Sequence, residues 1–453
     1  MTTTVMCLLA RARNGAYLVP ILLIALSLLV THVPSAAQEG QGVPTGGAPL
    51  DLRRLPLEGI FVFYDTPAEA SQTGTGQNAS HSVGGVWRRV VGHVRVLMNR
   101  CPIAGRIALE EAPALPDEDL FTIFGAYPGD MTGTETYVAD FNGDGYDDLL
   151  LGAQNADGPD LSRPNAGAAY VVFGGPDFAA HPDIDLREPT DDVLTLHGAD
   201  ADDRFGLWVA GGDFDGDGYG DLLIGANQAD GQENRRINAG EAWIIYGRED
   251  LIAVYGAVID MRQPPADATR IIGADFDDLL GSCAAGGDLN GDGVDDAIVS
   301  AALWRGSAGV GGLSFGGGDG PGDTRYNSGD VYVVFGGPDL RGETVDLAFR
   351  VGESGAPLDD SVAVIYGAEA NDLLGEEIAV GDLNGDGQNE LILGTLIGDG
   401  PDNTLEDSGE AWVIEVGEDF AGRMIDLAAP TVPTTVIYPD QPFSKGGDTV
   451  RVA

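Results

Sequence analysis

Basic residues are scarce in this chain, and so are cysteine and histidine. The 453 residues include 24 Lys and Arg against 72 Asp and Glu, a formal net charge of −48, and Lys445 is the only lysine. A surface this negative repels nucleic acid and anionic lipid, which excludes binding to DNA, RNA or membrane surfaces. Three cysteines are too few for a disulfide framework.

Long apolar segments are missing after the N-terminus. Two arginines precede an apolar run at residues 16–30, and the small residues 35–37 fit a cleavage site, so residues 1–37 are interpreted as an export signal. A retained membrane anchor is the alternative, but fifteen residues interrupted by Pro20 are short of the about 20 that a helix needs to cross a bilayer. We expect a secreted, periplasmic or cell-surface protein with no membrane insertion after signal cleavage.

Glycine and aspartate are abundant instead. The chain has 68 glycines and 25 prolines, 51 of its acids are aspartate, and 43% of its residues are hydrophobic. This composition is typical of a folded protein built from short strands and tight turns, and it argues against a helical bundle. Aspartate concentrated at glycine-rich turns indicates metal-binding loops.

Four segments repeat one motif without gaps. They read DFNGDGYDDLLLGA, DFDGDGYGDLLIGA, DLNGDGVDDAIVSA and DLNGDGQNELILGT, starting at Asp140, Asp213, Asp288 and Asp382. Glycines precede each start by seven and fifteen residues. A second apolar strand follows each motif (AYVVF, AWIIY, VYVVF, AWVIE), and then a short third strand (IDL, IDM, VDL, IDL). Elements kept in constant order identify internal repeats of roughly 70 residues.

Two weaker copies flank these four. Asp65 lies 75 residues before Asp140 and starts a loop that has lost most of its acids, and Gly447 begins a copy that ends with the sequence. A linker and outer strand at 38–58 therefore precede a repeat region at 59–453. The predicted repeats lie near 59–125, 126–198, 199–273, 274–367 and 368–439, with a partial copy at 440–453.

Each repeat predicts about four short strands in a small antiparallel sheet. Such sheets must stack to bury their faces, radially in a β-propeller or linearly in a β-solenoid, and the repeat length favours the propeller. We therefore expect an all-β propeller of four-stranded antiparallel blades, with five recognisable blades and a partial sixth. Either its two ends close a ring or the sequence is a fragment of a larger ring, and we favour the fragment.

The repeated loops carry the candidate metal ligands. Oxygen side chains fall at loop positions 1, 3, 5 and 9, in sets that read Asp140, Asn142, Asp144, Asp148; Asp213, Asp215, Asp217, Asp221; Asp288, Asn290, Asp292, Asp296; and Asp382, Asn384, Asp386, Glu390. Oxygen donors without His or Cys suit Ca²⁺ better than zinc or copper. An EF-hand is excluded because its acidic position 12 is replaced by Leu151, Ile224, Val299 and Leu393. Metal-free turns are the alternative, although the clustered carboxylates would then repel one another.

The pattern from Phe205-Gly206 through the Asp213 loop to Gly225-Ala226 resembles the FG-GAP repeat of integrin α-subunit propellers. The resemblance covers about residues 50–453, although Phe-Gly is intact only at Phe205-Gly206. It implies a seven-bladed propeller with Ca²⁺ in the turn between the first two strands of some blades. Carried over by position, it implies about four structural ions, held by the side chains above and by the backbone carbonyls of Tyr146, Tyr219, Val294 and Gln388.

Signals for catalysis are thin, because no nucleophile, zinc or phosphate-loop motif is present. We expect no enzyme activity and a binding or adhesion module whose partner is an extracellular protein or glycan. A glycan-binding, lectin-like propeller is the main alternative, and a Ca²⁺-dependent polysaccharide lyase is the second.

Two segments could contact a partner. The loop at 301–329 is about twice as long as its counterparts and holds Trp304, Arg305, Phe315 and Tyr326, so it is either a binding element or a glycine-rich insertion without a partner. Residues 70–109 contain arginines but no acid, and they either dock an acidic ligand or belong to a divergent blade. Cys283 is expected to be a buried thiol on an inner strand.

Overall fold

A computed structural model describes residues 93–97 and 120–453, apart from 177, 179–182, 189, 191, 305–314, 445, 448–449, 451 and 453. The predicted export signal, the linker, and most of the first repeat with its basic stretch lie outside the described residues. The described part is almost entirely strand and turn, with one short α-helix, α1 (Leu251–Tyr255). None of its helices is long and apolar enough to cross a membrane. The all-β prediction is confirmed.

The strands form consecutive blades, each antiparallel and ordered along the chain. Blade 1 includes β1 (His93–Leu97) and β2 (Leu120–Phe124). Blade 2 is β3 (Thr136–Ala139), β4 (Asp148–Ala153), β5 (Ala168–Val172) and β7 (Val193–His197), and blade 3 is β8 (Val209–Gly212), β9 (Asp221–Ala226), β10 (Glu241–Ile245) and β12 (Thr269–Ile272). Blade 4 is β13 (Cys283–Gly287), β14 (Asp296–Trp304), β16 (Asp330–Val334) and β18 (Val362–Tyr366), and blade 5 is β19 (Leu374–Gly381), β20 (Glu390–Thr395), β21 (Glu410–Glu415) and β23 (Thr434–Ile437).

Short turns of 3₁₀-helix connect some of these strands. They are Pro159–Leu161, Gln232–Asn234, Pro338–Leu340, Leu347–Phe349 and Pro401–Asn403. Three of them lie between the second and third strands of a blade, where predicted polar stretches separate the two apolar runs.

The first strands of successive blades pack against one another. Strand β3 lies against β8, β8 against β13, and β13 against β19, while the described blades do not close into a ring. Buried side chains fill the space between neighbours: Phe214 and Tyr246 of blade 3 share one apolar cluster with Tyr332 of blade 4. Four-stranded blades that stack through their faces are as predicted, and Cys283 is fully buried in β13.

The short Ile-Asp-Leu strands lie elsewhere than predicted. Strands β6 (Asp183–Asp185), β11 (Val258–Asp260), β17 (Thr344–Asp346) and β22 (Met424–Asp426) pair in parallel with β2, β7, β12 and β18. Each therefore lies at the outer edge of the preceding blade. The prediction that it joins the sheet of its own repeat is wrong. The physical reason is that an outer edge exposes unpaired backbone groups, which a strand from the next repeat covers.

Recurring arginine–aspartate pairs fasten these edge strands. Arg163 Nη1 lies 2.7 Å from Asp260 Oδ1, Arg236 Nη1 lies 2.8 Å from Asp346 Oδ1, and Arg325 Nη1 lies 2.9 Å from Asp426 Oδ1. Each arginine stands in the loop between the second and third strands of one blade, and each aspartate ends the edge strand sent by the next blade. The Arg163 side chain is only 3% exposed. These pairs therefore link consecutive blades near their rims.

Glycine allows the close approach of blades at the position seven residues before each acidic loop. At Gly206, with φ of +80°, an added Cβ would lie 2.2 Å from the carbonyl oxygen of Ala168 in the preceding blade. At Gly447 it would lie 2.2 Å from that of Glu410 in blade 5. Val450 also packs against blade 5, beside Ala379. The start of the predicted sixth copy therefore contacts blade 5 as a following blade would.

The enlarged loop of blade 4 begins as a β-ribbon. Strand β14 is nine residues long and pairs with β15 (Phe315–Gly317), with Trp304 opposite Phe315 in register. Arg305 lies outside the described residues. At the end of the loop, the Tyr326 side chain is 63% exposed.

Replacing Arg163 with glutamine should lower the free energy of unfolding by about 1–3 kcal/mol, because the half-exposed Asp260 carboxylate and the buried carbonyl oxygen of Gly198 lose a charged donor. Arg163 Nη1 also donates to the carbonyl oxygen of Gly198 at 2.7 Å. Urea unfolding measures the change. The control is Arg235→Gln, since Arg235 is 79% exposed and pairs only with an exposed glutamate. Equal stability of the two variants would show that the rim pairs do not fasten the blades.

Candidate metal centre

All four acidic loops connect the first and second strands of a blade. The 140–148 loop joins β3 to β4, the 213–221 loop joins β8 to β9, the 288–296 loop joins β13 to β14, and the 382–390 loop joins β19 to β20. The four turns therefore emerge from the same end of their blades. This is the position that the FG-GAP resemblance implied.

The first aspartate of each loop gathers backbone N–H groups. The carboxylate of Asp140 accepts hydrogen bonds from the N–H groups of Gly143 at 2.7 Å, Asp144 at 3.1 Å and Gly145 at 2.9 Å. Asp288 and Asp382 repeat all three contacts, and Asp213 repeats the last two. Gly143 and Gly145 have φ of +72° and +85°, a conformation that glycine adopts without strain. The loop thus folds around its first carboxylate.

Positions 3, 5 and 7 are coupled in the same way. The Asn142 side-chain oxygen accepts from the N–H of Asp144 at 2.9 Å, and the Asp144 carboxylate accepts from the N–H of Tyr146 at 2.9 Å. The other three loops contain the same pair of bonds. Side-chain oxygens at alternate positions are thereby held on the inside of the turn.

The ninth position is a buried acid that ties the loop to the rest of its blade. Asp221 is fully buried, and its two oxygens accept from the N–H groups of Phe214 and Gly247, both at 2.8 Å. Asp148 and Asp296 make equivalent pairs of bonds. Glu390 instead bonds the N–H of Leu383 and the side chain of Asn384. The three aspartates connect the loop to the residue that follows the third strand.

Burial of the three ninth-position aspartates disfavours their charged form. Desolvation raises the pKa of Asp148 to about 7, of Asp221 to about 8 and of Asp296 to about 7, and the backbone hydrogen bonds oppose this only in part. Two further acids of the same loop add to each rise: Asp140 and Asp144, Asp215 and Asp217, and Asp288 and Asp292. A cation in the loop would favour the ionised form of all of them.

The donor set fits a hard divalent cation. In two loops, three carboxylate groups each offer an oxygen within 4.8 Å of the others: Asp213, Asp215 and Asp221, and Asp382, Asp386 and Glu390. Oxygen-rich sites of this kind suit Ca²⁺. The structure thus brings predicted side chains of these two loops together. The ligand role of each of the twenty predicted residues, including the four backbone carbonyls at position 7, stays a prediction.

The sequence analysis did not identify Arg341, a basic side chain that lies beside one of these loops. Arg341 Nε lies 2.7 Å from a carboxylate oxygen of Asp215. Its position in the repeat is taken by Ala179, Ile252 and Ala421 in the other blades. The sequence did indicate that Arg341 is unusual, because the other repeats have a small or apolar residue at this position.

Buried acids at the other end of the blades were also missed. Asp130, Asp203, Asp278 and Asp372 stand three residues before the recurring glycines, and Asp203 is half-buried while the other three are buried. Desolvation, the largest cause in each case, raises the pKa of these groups to about 6, 7, 8 and 8 respectively. Their constant spacing of three residues before a glycine could have identified these acids from the sequence.

Replacing Asp278 with asparagine should stabilise the protein more at pH 8 than at pH 5. The folded pKa of about 8 lies above the ordinary value of 3.8, so the folded state retains a proton that the unfolded state releases, and stability falls as pH rises from about 4 to 8. Removing the titrating group should raise the unfolding free energy by about 1–3 kcal/mol at pH 8. Asparagine can still accept the Asp275 N–H bond.

Urea unfolding in EDTA at the two pH values measures this effect. Asp277→Asn is the matched control, because Asp277 is the exposed neighbour of Asp278. A gain in stability for the Asp278 variant that is the same at both pH values would contradict the assignment of a raised pKa to the buried carboxyl.

Known proteins share this loop-and-strand arrangement. The FG-GAP repeat family matches residues 132–172 and 205–245, which contain the 140–148 and 213–221 loops with their flanking strands. Residues 132–172 and 205–245 are therefore FG-GAP repeats. Integrin alpha-PS2 of Drosophila melanogaster is 30% identical over 187 residues, which cover 40% of this chain and 12% of the relative.

A second group of similar proteins has a different name. Phosphatidylinositol-glycan-specific phospholipase D of Bos taurus is 35% identical over 101 residues, covering 22% of this chain and 12% of the relative. The Rattus norvegicus protein of the same name is 31% identical over 163 residues, covering 36% and 17%. The chain thus spans 12% to 17% of the length of these curated relatives.

Proposed function

We propose that this FG-GAP β-propeller is a secreted or surface-displayed binding or adhesion module with structural Ca²⁺ in four blade loops. The observation that carries the proposal is the hydrogen-bond pattern common to the four loops, in which oxygens at positions 1, 3 and 5 line the inside of each turn. Because all four loops have this pattern, chance does not explain it. Export would place these loops where calcium is abundant.

The proposed role of calcium is structural. When bound, Ca²⁺ supplies positive charge and accepts six to eight oxygen ligands. The side chains at positions 1, 3, 5 and 9, with the carbonyl at position 7, would hold about one ion in each loop. Because Asp148, Asp221 and Asp296 also bond the exit of the third strand, an ordered loop would hold three strands of its blade in register. Sites with Kd on the order of 10⁻⁴–10⁻³ M would be filled outside a cell.

We infer a binding role and no enzyme activity. One group of relatives is named as a phospholipase D, yet the matched segments cover only 12% to 17% of those proteins, so the named activity is not transferred to this chain. The clustered acids are explained more fully by calcium than by acid–base catalysis, because every one of the four loops repeats them in the same geometry. A Ca²⁺-dependent polysaccharide lyase is retained as the least favoured alternative.

The partner we propose is an extracellular protein or glycan. Tyr326 supports a contact surface at the end opposite the acidic loops, since it is 63% exposed while its backbone is fixed. The next residue, Asn327, donates its N–H to Asp319 at 2.7 Å, and the Tyr326 carbonyl accepts from the N–H of Asn371 at 2.9 Å. An exposed aromatic side chain on a rigid turn is typical of binding hot spots. A glycan array separates the lectin-like alternative from protein adhesion, because only a lectin would select defined sugars.

Calcium removal should destabilise the purified chain. We expect about four bound ions per chain after dialysis into 1 mM Ca²⁺, on the order of the Kd for extracellular sites, and a clear fall in melting temperature in EDTA. The Asp144→Asn variant should lose about one ion, because the substitution removes one of three carboxylates from the 140–148 loop.

Elemental analysis and thermal melts make both measurements. The control is Asp250→Asn, an acid that is 64% exposed and lies outside the four loops, which should change neither number. A chain with no bound calcium and the same melting temperature in Ca²⁺ and EDTA would overturn the proposed function.

A further inference from the structure

The 213–221 loop differs from the other three in the acids at its ligand positions. Its third position is Asp215, where the other loops have Asn142, Asn290 and Asn384. It therefore contains four carboxylates in the ligand positions, and each of the others contains three. Four carboxylates at the ligand positions repel one another more strongly than three, whether or not a metal is bound.

An arginine from the neighbouring blade lies against this loop. Arg341 follows the 3₁₀ turn Pro338–Leu340 of blade 4, and the N–H of Gly337 donates to the carbonyl oxygen of Phe214 at 2.8 Å, which anchors the turn beside the loop. Arg341 Nε lies 2.7 Å from Asp215 Oδ2, and Nη2 lies 3.7 Å from Asp217 Oδ2. The guanidinium also covers the Tyr246 ring, 4.6 Å from its centroid.

The contact between Arg341 and Asp215 is largely shielded from water. The Asp215 side chain is 3% exposed and that of Arg341 is 28% exposed. Nε and Nη2 of Arg341 are buried and make no hydrogen bond of regular geometry, so the pairing is mainly one of charge. The guanidinium stays protonated at every physiological pH. It therefore acts as a fixed positive charge beside the ligand positions.

The two departures from the repeat occur together. Asp215 is the additional acid, and Arg341 is the additional base, at a position where the other blades have Ala179, Ile252 and Ala421. Counting Arg341, the ligand positions of the 213–221 loop carry the same formal charge of −3 as those of each other loop (four carboxylates and one guanidinium against three carboxylates). The structure places the two residues in contact although 126 positions separate them in the sequence.

We propose that Arg341 is a built-in counter-cation of the 213–221 loop, which lowers the calcium affinity of this one loop and keeps it folded when calcium is absent. The inference rests on the proposed calcium binding. Removing the guanidinium leaves four carboxylates facing the ion, and this should tighten calcium binding at one site by roughly three- to tenfold at low ionic strength, as expected for a unit charge several ångströms from a divalent ion. Without calcium, the same change should weaken the fold.

The test compares Arg341→Gln, Asp215→Asn and the double variant with the unmodified chain. Calcium affinities come from competition with a fluorescent chelator at low salt, and melting temperatures are recorded in EDTA and in millimolar Ca²⁺. We expect R341Q to tighten one site and to melt lower in EDTA, with much of that loss recovered in Ca²⁺. D215N should weaken one site, and the double variant should return its affinity to near the original value.

Two controls identify the affected loop and the cause. Asp217→Asn should weaken the same site that R341Q tightens, which assigns the change in affinity to the 213–221 loop. Arg248→Gln should leave the affinities unchanged, because Arg248 pairs with Asp267 and lies outside the loop's ligand positions.

The outcomes separate this inference from the proposed function. If the unmodified chain takes up calcium but R341Q leaves every affinity unchanged and lowers the melting temperature equally in EDTA and Ca²⁺, Arg341 is only a packing residue and the inference is overturned. If the unmodified chain takes up no calcium, the proposed function fails and the inference fails with it.

Discussion

Mutual repulsion of crowded carboxylates is the constraint on which the structure around the acidic loops depends. Each loop places three or four acids within nine residues. Backbone N–H groups converge on the first carboxylate, and glycines at positive φ allow this convergence. The ninth carboxylate is buried and bonded to two N–H groups in three of the loops. Partial positive charges on peptide groups offset only part of this repulsion, and the calcium that we propose for these loops would offset the rest.

The loops are also where neighbouring blades meet. The exit of the third strand in blade 3 bonds Phe141 of the loop in blade 2, and the corresponding exit in blade 4 bonds Phe214 of the loop in blade 3. Parallel edge strands and arginine–aspartate pairs make the second set of connections at the rim. Consecutive blades are thus joined at two places. Each blade is therefore stabilised mainly by contacts with its nearest neighbours.

The sequence was informative wherever structure is local. Loop positions, glycine spacing and the apolar runs of β4, β9, β14 and β20 lie within about 25 residues of one another, so four aligned copies predicted the blades and the acidic loops. The edge strands were misplaced because three apolar-flanked residues give no indication of which blade they join. The partners in the rim pairs are 97 to 110 residues apart, which periodicity within one repeat does not connect.

The role of residues that depart from the repeat pattern became clear only from the structure. Asp215 read alone is one more candidate ligand, and Arg341 read alone is an isolated base in an acidic chain. Their contact shows that the base accompanies the additional acid. The acids before each recurring glycine were visible as a spacing, but the spacing did not indicate their raised pKa, which comes from desolvation in the folded chain.

Anomalous diffraction from crystals grown in calcium tests the central claim most directly. Data collected at a long wavelength locate Ca²⁺ without reference to the protein atoms. We predict one anomalous peak inside each of the four acidic loops, about 2.3–2.6 Å from the oxygens at positions 1, 3, 5 and 9. Four loops with the hydrogen-bond pattern described above and no anomalous peak would contradict calcium as the cation that these carboxylates hold.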